Sequence, residues 1–255
     1  MRKQRPIGHE DRLTLVEHLD ELRTRIVIAV FAFVVAMGLC FWQNHRLLDI
    51  INDPLPKGQK PITLSPTEPF TTTLTVAAYA ALLISLPVIL YQLYAFILPA
   101  FSPNEKKVAV PLLLMVPVLF IAGAVFAYFV VVPAALTFLL NFNDQQFNTQ
   151  IRARDYYSFV LLTLVSAGIV FQVPVGILGL TRLGILTPEK LKHNRRYAYL
   201  GCAVVAALLP GVDPVSMLIE MVPLVVLYEL SILLSVLFGR SSAETADRLA
   251  SAEGS

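Results

Sequence analysis

The sequence predicts an all-α, polytopic membrane protein with six transmembrane helices, both termini on the inside, and kinked helices forming a concave shape. Three observations predict it. The chain of 255 residues is 56% hydrophobic and only 15% charged, with a mean hydropathy of +0.68. A soluble domain is about 45–50% apolar and about 25% charged. Six long apolar runs divide the sequence, and Lys and Arg gather in alternate connections between them. This composition excludes a disordered protein, a basic nucleic-acid binder and an ordinary cytosolic enzyme. Cys40 and Cys202 lie in apolar runs and make neither a disulfide framework nor a metal-binding spacing.

A spanning helix needs roughly 20 mostly apolar residues. The runs that qualify or nearly do so are Ile26–Trp42, Phe70–Phe96, Val108–Leu140, Tyr157–Leu180, Tyr197–Pro210 and Val215–Phe238. The third is long enough to tilt or project. The fifth reaches only about 21 Å at the α-helical rise. It is followed by Gly211-Val212-Asp213-Pro214, a turn signal, so it reads as one arm of a short hairpin with the sixth. No segment reads as a cleavable signal peptide, because the stretch before the first run is acidic as well as basic. Residues 1–25 are expected to be a cytoplasmic N-terminus with an amphipathic helix. Residues 26–238 are expected to be the membrane domain, and 239–255 a disordered cytoplasmic tail.

Orientation follows from the basic residues. With the N-terminus inside, 15 of the 20 Lys and Arg fall on cytoplasmic segments. The outside keeps Arg46, Lys57, Lys60, Arg152 and Arg154. That bias fits the positive-inside rule.

Within segment Arg12–Arg25, Leu15, Val16, Leu19, Leu22 and Ile26 recur at helical spacing. Glu17, Asp20 and Glu21 crowd the other side. Glu17 and Glu21 repel at i,i+4, and a Glu21–Arg25 pair offsets this. Surface helices on membranes usually carry a Lys/Arg-rich polar face. An acidic face suits a cationic peptide partner better.

Three acids have simple capping explanations. Ser102-Pro103-Asn104-Glu105 has the N-cap, N1 and N3 residues of a capping box. Ser65-Pro66-Thr67-Glu68 repeats the pattern, and Asp213-Pro214 reads as the cap of the last span. Glu220 and Glu229, nine residues apart, face opposite sides of that span. Glu220 is expected near the outer end, within reach of the interface. Glu229 and Gln172 are expected at similar depth, where a hydrogen bond between the two spans or a polar patch for a partner helix would offset the cost of burial. Pro87, Pro111, Pro117, Pro133, Pro174 and Pro223 fall in spans and predict kinks.

Several motifs together resemble the TatC family, the multispanning subunit of the twin-arginine protein translocase. They are His18-Leu19-Asp20-Glu21-Leu22-Arg23-Thr24-Arg25, Pro87-Val88-Ile89-Leu90-Tyr91-Gln92 running into Ala95-Phe96-Ile97-Leu98-Pro99-Ala100, and Glu105-Lys106-Lys107. Further on come Phe126-Ala127-Tyr128-Phe129, Phe171-Gln172-Val173-Pro174, GILTPEKL at Gly184–Leu191, Asp213-Pro214, Pro223 and Tyr228-Glu229. The resemblance spans roughly residues 15–238. It implies a Sec-independent translocase subunit that binds twin-arginine signal peptides of folded cargo. It implies assembly with single-span TatA- and TatB-like partners, a homo-oligomeric receptor complex, and export across a bacterial inner membrane driven by the proton-motive force. By position it assigns signal-peptide binding to Glu21 and Glu105, with Arg23, Phe96 and Pro99 as surrounding signature. Asp213 and Glu229 match acids of the last hairpin and span.

The sequence departs from the family in two places. Gln172 stands where Glu is common, and an amide cannot carry charge. Met217 stands where a polar Gln is common, and Glu220 where an apolar residue is expected, so Glu220 is read as a replacement contact to a partner helix. No catalytic group, cofactor or metal is expected. The alternative reading, a secondary transporter or channel for a small solute, would want an inverted repeat and polar groups at the midplane.

Overall fold

A computed structural model of the chain describes residues 15–56, 59–97, 103–146, 149–182, 185–210 and 213–238. Helix α1 (Leu15–Trp42) is continuous. The amphipathic segment therefore runs directly into the first apolar run instead of lying apart from it. After α1 comes a short amphipathic helix, α2 (Asn44–Asn52), and then α3 (Glu68–Ile97) with Pro87 inside it.

The third apolar run is one long rod with a local fault. Helix α4 (Pro103–Phe126) passes through a π-helical turn at Ala127–Val131 into α5 (Val132–Asn141). The cause is Pro133. It has no N–H, and its ring clashes with the carbonyl four residues back, at Phe129. Widening that turn relieves the clash.

The fourth run is broken. Helix α6 (Ala153–Val170) stops, Phe171 and Gln172 form a turn, and α7 (Val173–Arg182) continues. Pro174 would clash with the Val170 carbonyl in the same way. Then come α8 (Pro188–His193), capped by Thr187 Oγ1 accepting from Lys190 N–H, α9 (Arg195–Leu208) and α10 (Pro214–Phe238).

Among the described residues, five stretches are long and apolar enough to cross a bilayer: Leu19–Trp42, Glu68–Phe96, Leu114–Asn141, Ala153–Thr181 and Pro214–Leu237. Helix α9 has 14 residues, about 21 Å, short of a ~30 Å hydrocarbon core as the sequence implied.

Small residues set the packing, as expected where no hydrophobic force separates helix from lipid. Ala77 and Ala81 of α3 are fully buried, in one cluster with Ala36 and Cys40 of α1 and with Tyr156, Tyr157, Val160 and Leu161 of α6. Helices α4 and α6 meet through glycines. A Cβ on Gly168 would lie 2.4 Å from the Phe120 ring, and one on Gly123 would lie 2.7 Å from the Ala167 carbonyl oxygen. Some hydroxyls inside the bundle find partners there: Ser231 donates to the Leu227 carbonyl, and Thr181 and Ser235 meet at 3.2 Å between α7 and α10.

The two ends of the bundle differ. At the far end, Ile62 pairs with the segment before α6: its N–H donates to the Ile151 carbonyl and its carbonyl accepts from Ala153 N–H, both at 2.8 Å. Tyr128 and Tyr156 hydroxyls donate to the Ile50 and Ile51 carbonyls, fastening α2 across that end. Glu68 is buried there. It accepts from Leu64 N–H and from Arg152 Nε, each at 2.8 Å. This corrects the expected capping box. Ser65 Oγ meets Thr67 Oγ1 instead of the helix, and Glu68 ties α3 to the loop before α6. The carboxylate in turn raises the pKa of Arg152.

Candidate functional site

The N-terminal end of the bundle gathers the start of α1, the end of α3 and the start of α4. Its geometry is fixed by Arg25. Arg25 Nε donates to Glu21 Oε1 at 3.1 Å, and Nη2 donates to the same oxygen. Its Nη1 donates at 3.1 Å to Gln92 Oε1, one turn before the end of α3. Two helices are thus locked by one guanidinium. Glu21 and Arg25 are about a quarter exposed, so the pair lies at an accessible rim. The predicted Glu21–Arg25 pair is present. Gln92 was not singled out as a site residue, although it ends the motif Pro87–Gln92; an amide at the end of an apolar helix was the available signal.

The other N-terminal-end residues are placed as follows. Arg23 is exposed, and Phe96 is half-buried near the end of α3. Glu105 lies in the first turn of α4, and α4 begins at this same end; its side chain is outside the described residues. Pro99, the whole Leu98–Ser102 connection, residues 1–14 and the expected tail 239–255 are also outside them.

Glu229 finds its partners on α9 and not on the fourth span. Arg195 Nη2 donates to its Oε2 at 2.8 Å, and the Tyr199 hydroxyl donates to its Oε1 at 2.6 Å. Arg195 is the first residue of α9, so Glu229 faces the N-terminal end of that short helix. Its neighbour Tyr228 packs edge-on against Tyr199 and donates to the Leu191 carbonyl at 2.9 Å, holding α8 down.

Gln172 is elsewhere. It is 6% exposed, and its Nε2 donates to the Val116 carbonyl of α4 at 3.1 Å and to the Gly168 carbonyl at 3.4 Å. The expected Gln172–Glu229 hydrogen bond is therefore replaced by two others. The break in the helix explains this. Gln172 N–H turns back to Ile169 at 2.9 Å, which leaves the Gly168 carbonyl to the side-chain amide.

Asp213 caps α10 as predicted: its Oδ1 accepts from Ser216 N–H at 2.8 Å. Glu220 is buried and lines a small pocket together with Phe126, Val131, Phe171 and Leu209. It does not reach an interface, because residues of α4, the π turn, α6 and the end of α9 close around it. Among the described residues no group of three or more His, Cys, Asp or Glu could hold a metal ion.

A family model described as Sec-independent protein translocase protein (TatC) matches residues 17–223. The chain belongs to the TatC family. The TatC protein of Aquifex aeolicus is 38% identical over 237 residues, covering 91% of this chain and 98% of that one. The TatC protein of Koribacter versatilis is 34% identical, covering 86% of this chain and 84% of its own. A crystal structure of the twin-arginine translocase receptor TatC in detergent superposes with a TM-score of 0.75 at 38% identity, covering 86% of this chain and 99% of that one. The chain is thus a membrane-embedded component of the Sec-independent protein translocase, as its motifs implied.

Proposed function

We propose that this TatC-family chain is a receptor subunit that binds the twin-arginine signal peptides of folded precursor proteins at its N-terminal end. That end faces the cytoplasm. The chain crosses the bacterial inner membrane six times, counting α9, with both termini inside. It assembles with further copies and with single-span TatA- and TatB-like subunits, and export draws on the proton-motive force. Asp213, Gln172, Glu220 and Glu229 are the polar groups of the membrane region in this reading, and no catalytic group or cofactor is involved.

One observation carries the site. Glu21 already holds a guanidinium, through two nitrogens of Arg25 on one carboxylate oxygen. Arg prefers this planar, charge-assisted geometry. A signal-peptide arginine can enter by displacing Arg25, whose third nitrogen is anchored by Gln92. Glu105, in the first turn of α4, supplies the second carboxylate. Two rim pairs alone are worth little, so the apolar part of the signal peptide must pack beside Phe96 and the lipid-facing helix sides.

The test is a binding titration of labelled twin-Arg and twin-Lys peptides with the purified protein in nanodiscs. The twin-Arg peptide should bind more tightly. Glu21→Ala or Glu105→Ala should each cost about 1–3 kcal/mol, the worth of a charged hydrogen bond. Arg25→Gln should tighten binding by removing the internal competitor. Equal binding of both peptides to the parent and to the double Ala variant would refute the assignment.

A further inference from the structure

Three polar side chains on one face of α10 are buried without the partners that burial normally requires. Asp213, Ser216 and Glu220 are three and four residues apart, the spacing that stacks side chains along one helix face. They are 5%, 0% and 5% exposed. Asp213 spends Oδ1 on the helix cap, and its Oδ2 has no hydrogen-bond partner among the described residues. The same holds for Ser216 Oγ and Glu220 Oε2. Other buried hydroxyls of α10, at Ser231 and Ser235, do find partners. These three idle oxygens share one row, whereas the others found among the described residues, Asn52 Oδ1, Thr72 Oγ1 and Gln172 Oε1, lie on separate elements.

The surroundings of Glu220 narrow it. The side chains that line its pocket from α4, the π turn, α6 and the end of α9 are Phe126, Val131, Ala167, Val170, Phe171 and Leu209, all apolar. From α10 itself come Pro223 and Leu224. The titratable group it faces is Asp213. Among the described residues no cation lines the pocket. A carboxylate left ionised there would be strongly disfavoured, whereas the neutral acid brings a donor of its own. The pocket is small, about 10 Å³, and the surface it exposes is apolar.

We propose that Glu220 is a proton-binding site inside the bundle, loaded from the far end through Asp213 and Ser216. A proton from water enters the row at its Asp213 end. It passes to the Ser216 hydroxyl, which accepts one proton as it releases another, and the released proton neutralises the Glu220 carboxylate. Unloading returns it to water along the same row. The rise from Asp213 to Glu220 is about 10 Å, with Ser216 about midway. The row lies at the end opposite Glu21 and does not depend on the signal-peptide reading.

Infrared spectroscopy of the full-length protein in nanodiscs tests this directly. The parent should show a protonated-carboxyl C=O band at neutral pH that disappears on alkaline titration, a measurement that needs no variant. Glu220→Gln, nearly isosteric, should remove the band while leaving twin-Arg peptide binding unchanged. In D2O the band should shift promptly in the parent and at least tenfold more slowly in Ser216→Ala and Asp213→Asn. Absence of the band in the parent, or its persistence in Glu220→Gln, would overturn the site. Equal exchange rates in the parent and in both path variants would overturn the route.

Discussion

Replacing Gln172 gives the sharpest test of how the broken fourth span is held together. Its amide donates to two carbonyls that differ in need. Val116 lies inside α4, where the helix's own ladder supplies a donor, so there the amide adds a second bond at 3.1 Å. Gly168 has lost its ladder donor, because Gln172 N–H bonds Ile169 instead. Gln172→Leu removes both bonds and leaves the Gly168 carbonyl short. Interhelical hydrogen bonds in membrane proteins average about 0.6 kcal/mol, and a buried unsatisfied group costs about 1–3 kcal/mol. Relief of the unpartnered Oε1 offsets part of this, so the expected net loss is ~1–2 kcal/mol.

Gln172→Glu should be worse, although it looks more conservative. An ionised carboxylate has no donor, and here it would face two carbonyl oxygens. A buried acid costs at least ~3 kcal/mol on insertion scales. The deficit should shrink as pH falls, because a protonated carboxyl regains one donor. The assay is reversible unfolding from mixed micelles, followed by helicity, at neutral and acid pH. The expected order at neutral pH is parent, then Gln172→Leu, then Gln172→Glu. A Gln172→Glu variant as stable as the parent at neutral pH would show that the amide donors are not what holds the break.

Gly168→Ala should lose about 1–3 kcal/mol by overpacking, because Phe120 is fully buried and cannot yield, while Gly38→Ala, with open space around it, should stay near neutral in the same unfolding assay. Tyr228→Phe removes the hydroxyl that holds α8 and should cost about 1 kcal/mol, again read by unfolding. Glu68→Gln should weaken the link to Arg152 and speed amide exchange at Ile62 and Ala153, the two N–H groups that close the far end. Glu229→Gln breaks a half-exposed pair with Arg195, so its cost should stay below about 1 kcal/mol and shrink further at high salt.

What could be read from sequence was whatever a local pattern encodes. Long apolar runs mark the spans, and 14 residues mark α9 as short. Prolines mark the faults in the third and fourth runs. The Asp213 cap and the Glu21–Arg25 pair lie within one helical turn, so spacing alone finds them. Contacts between distant segments were not legible. Glu68 fits a capping box by spacing, yet an arginine 84 positions away claims it. Gln172 and Glu229 match in depth along their own helices, but depth says nothing of rotation or of which neighbour intervenes. Each found a partner on another helix, α4 for Gln172 and α9 for Glu229.

The two acids of α10 show why the neighbour, not the depth, assigns a role. They are nine residues apart, half a turn out of phase and about 13 Å apart along the axis. Glu229 has a guanidinium at 2.8 Å and a tyrosine hydroxyl at 2.6 Å. Its charge is matched, and it serves to hold α9 against α10. Glu220 has aromatic and aliphatic neighbours and an unpartnered oxygen. Among the described residues no cation lines its pocket, so of the two it is the one whose protonation can change. Placing a cation beside it should separate the two cases: Leu224→Lys, from the same pocket, should hold Glu220 as the anion. The neutral-pH carboxyl band should then vanish as it does in Glu220→Gln. A band that survives beside the new lysine would mean that something other than the apolar pocket keeps the proton at Glu220.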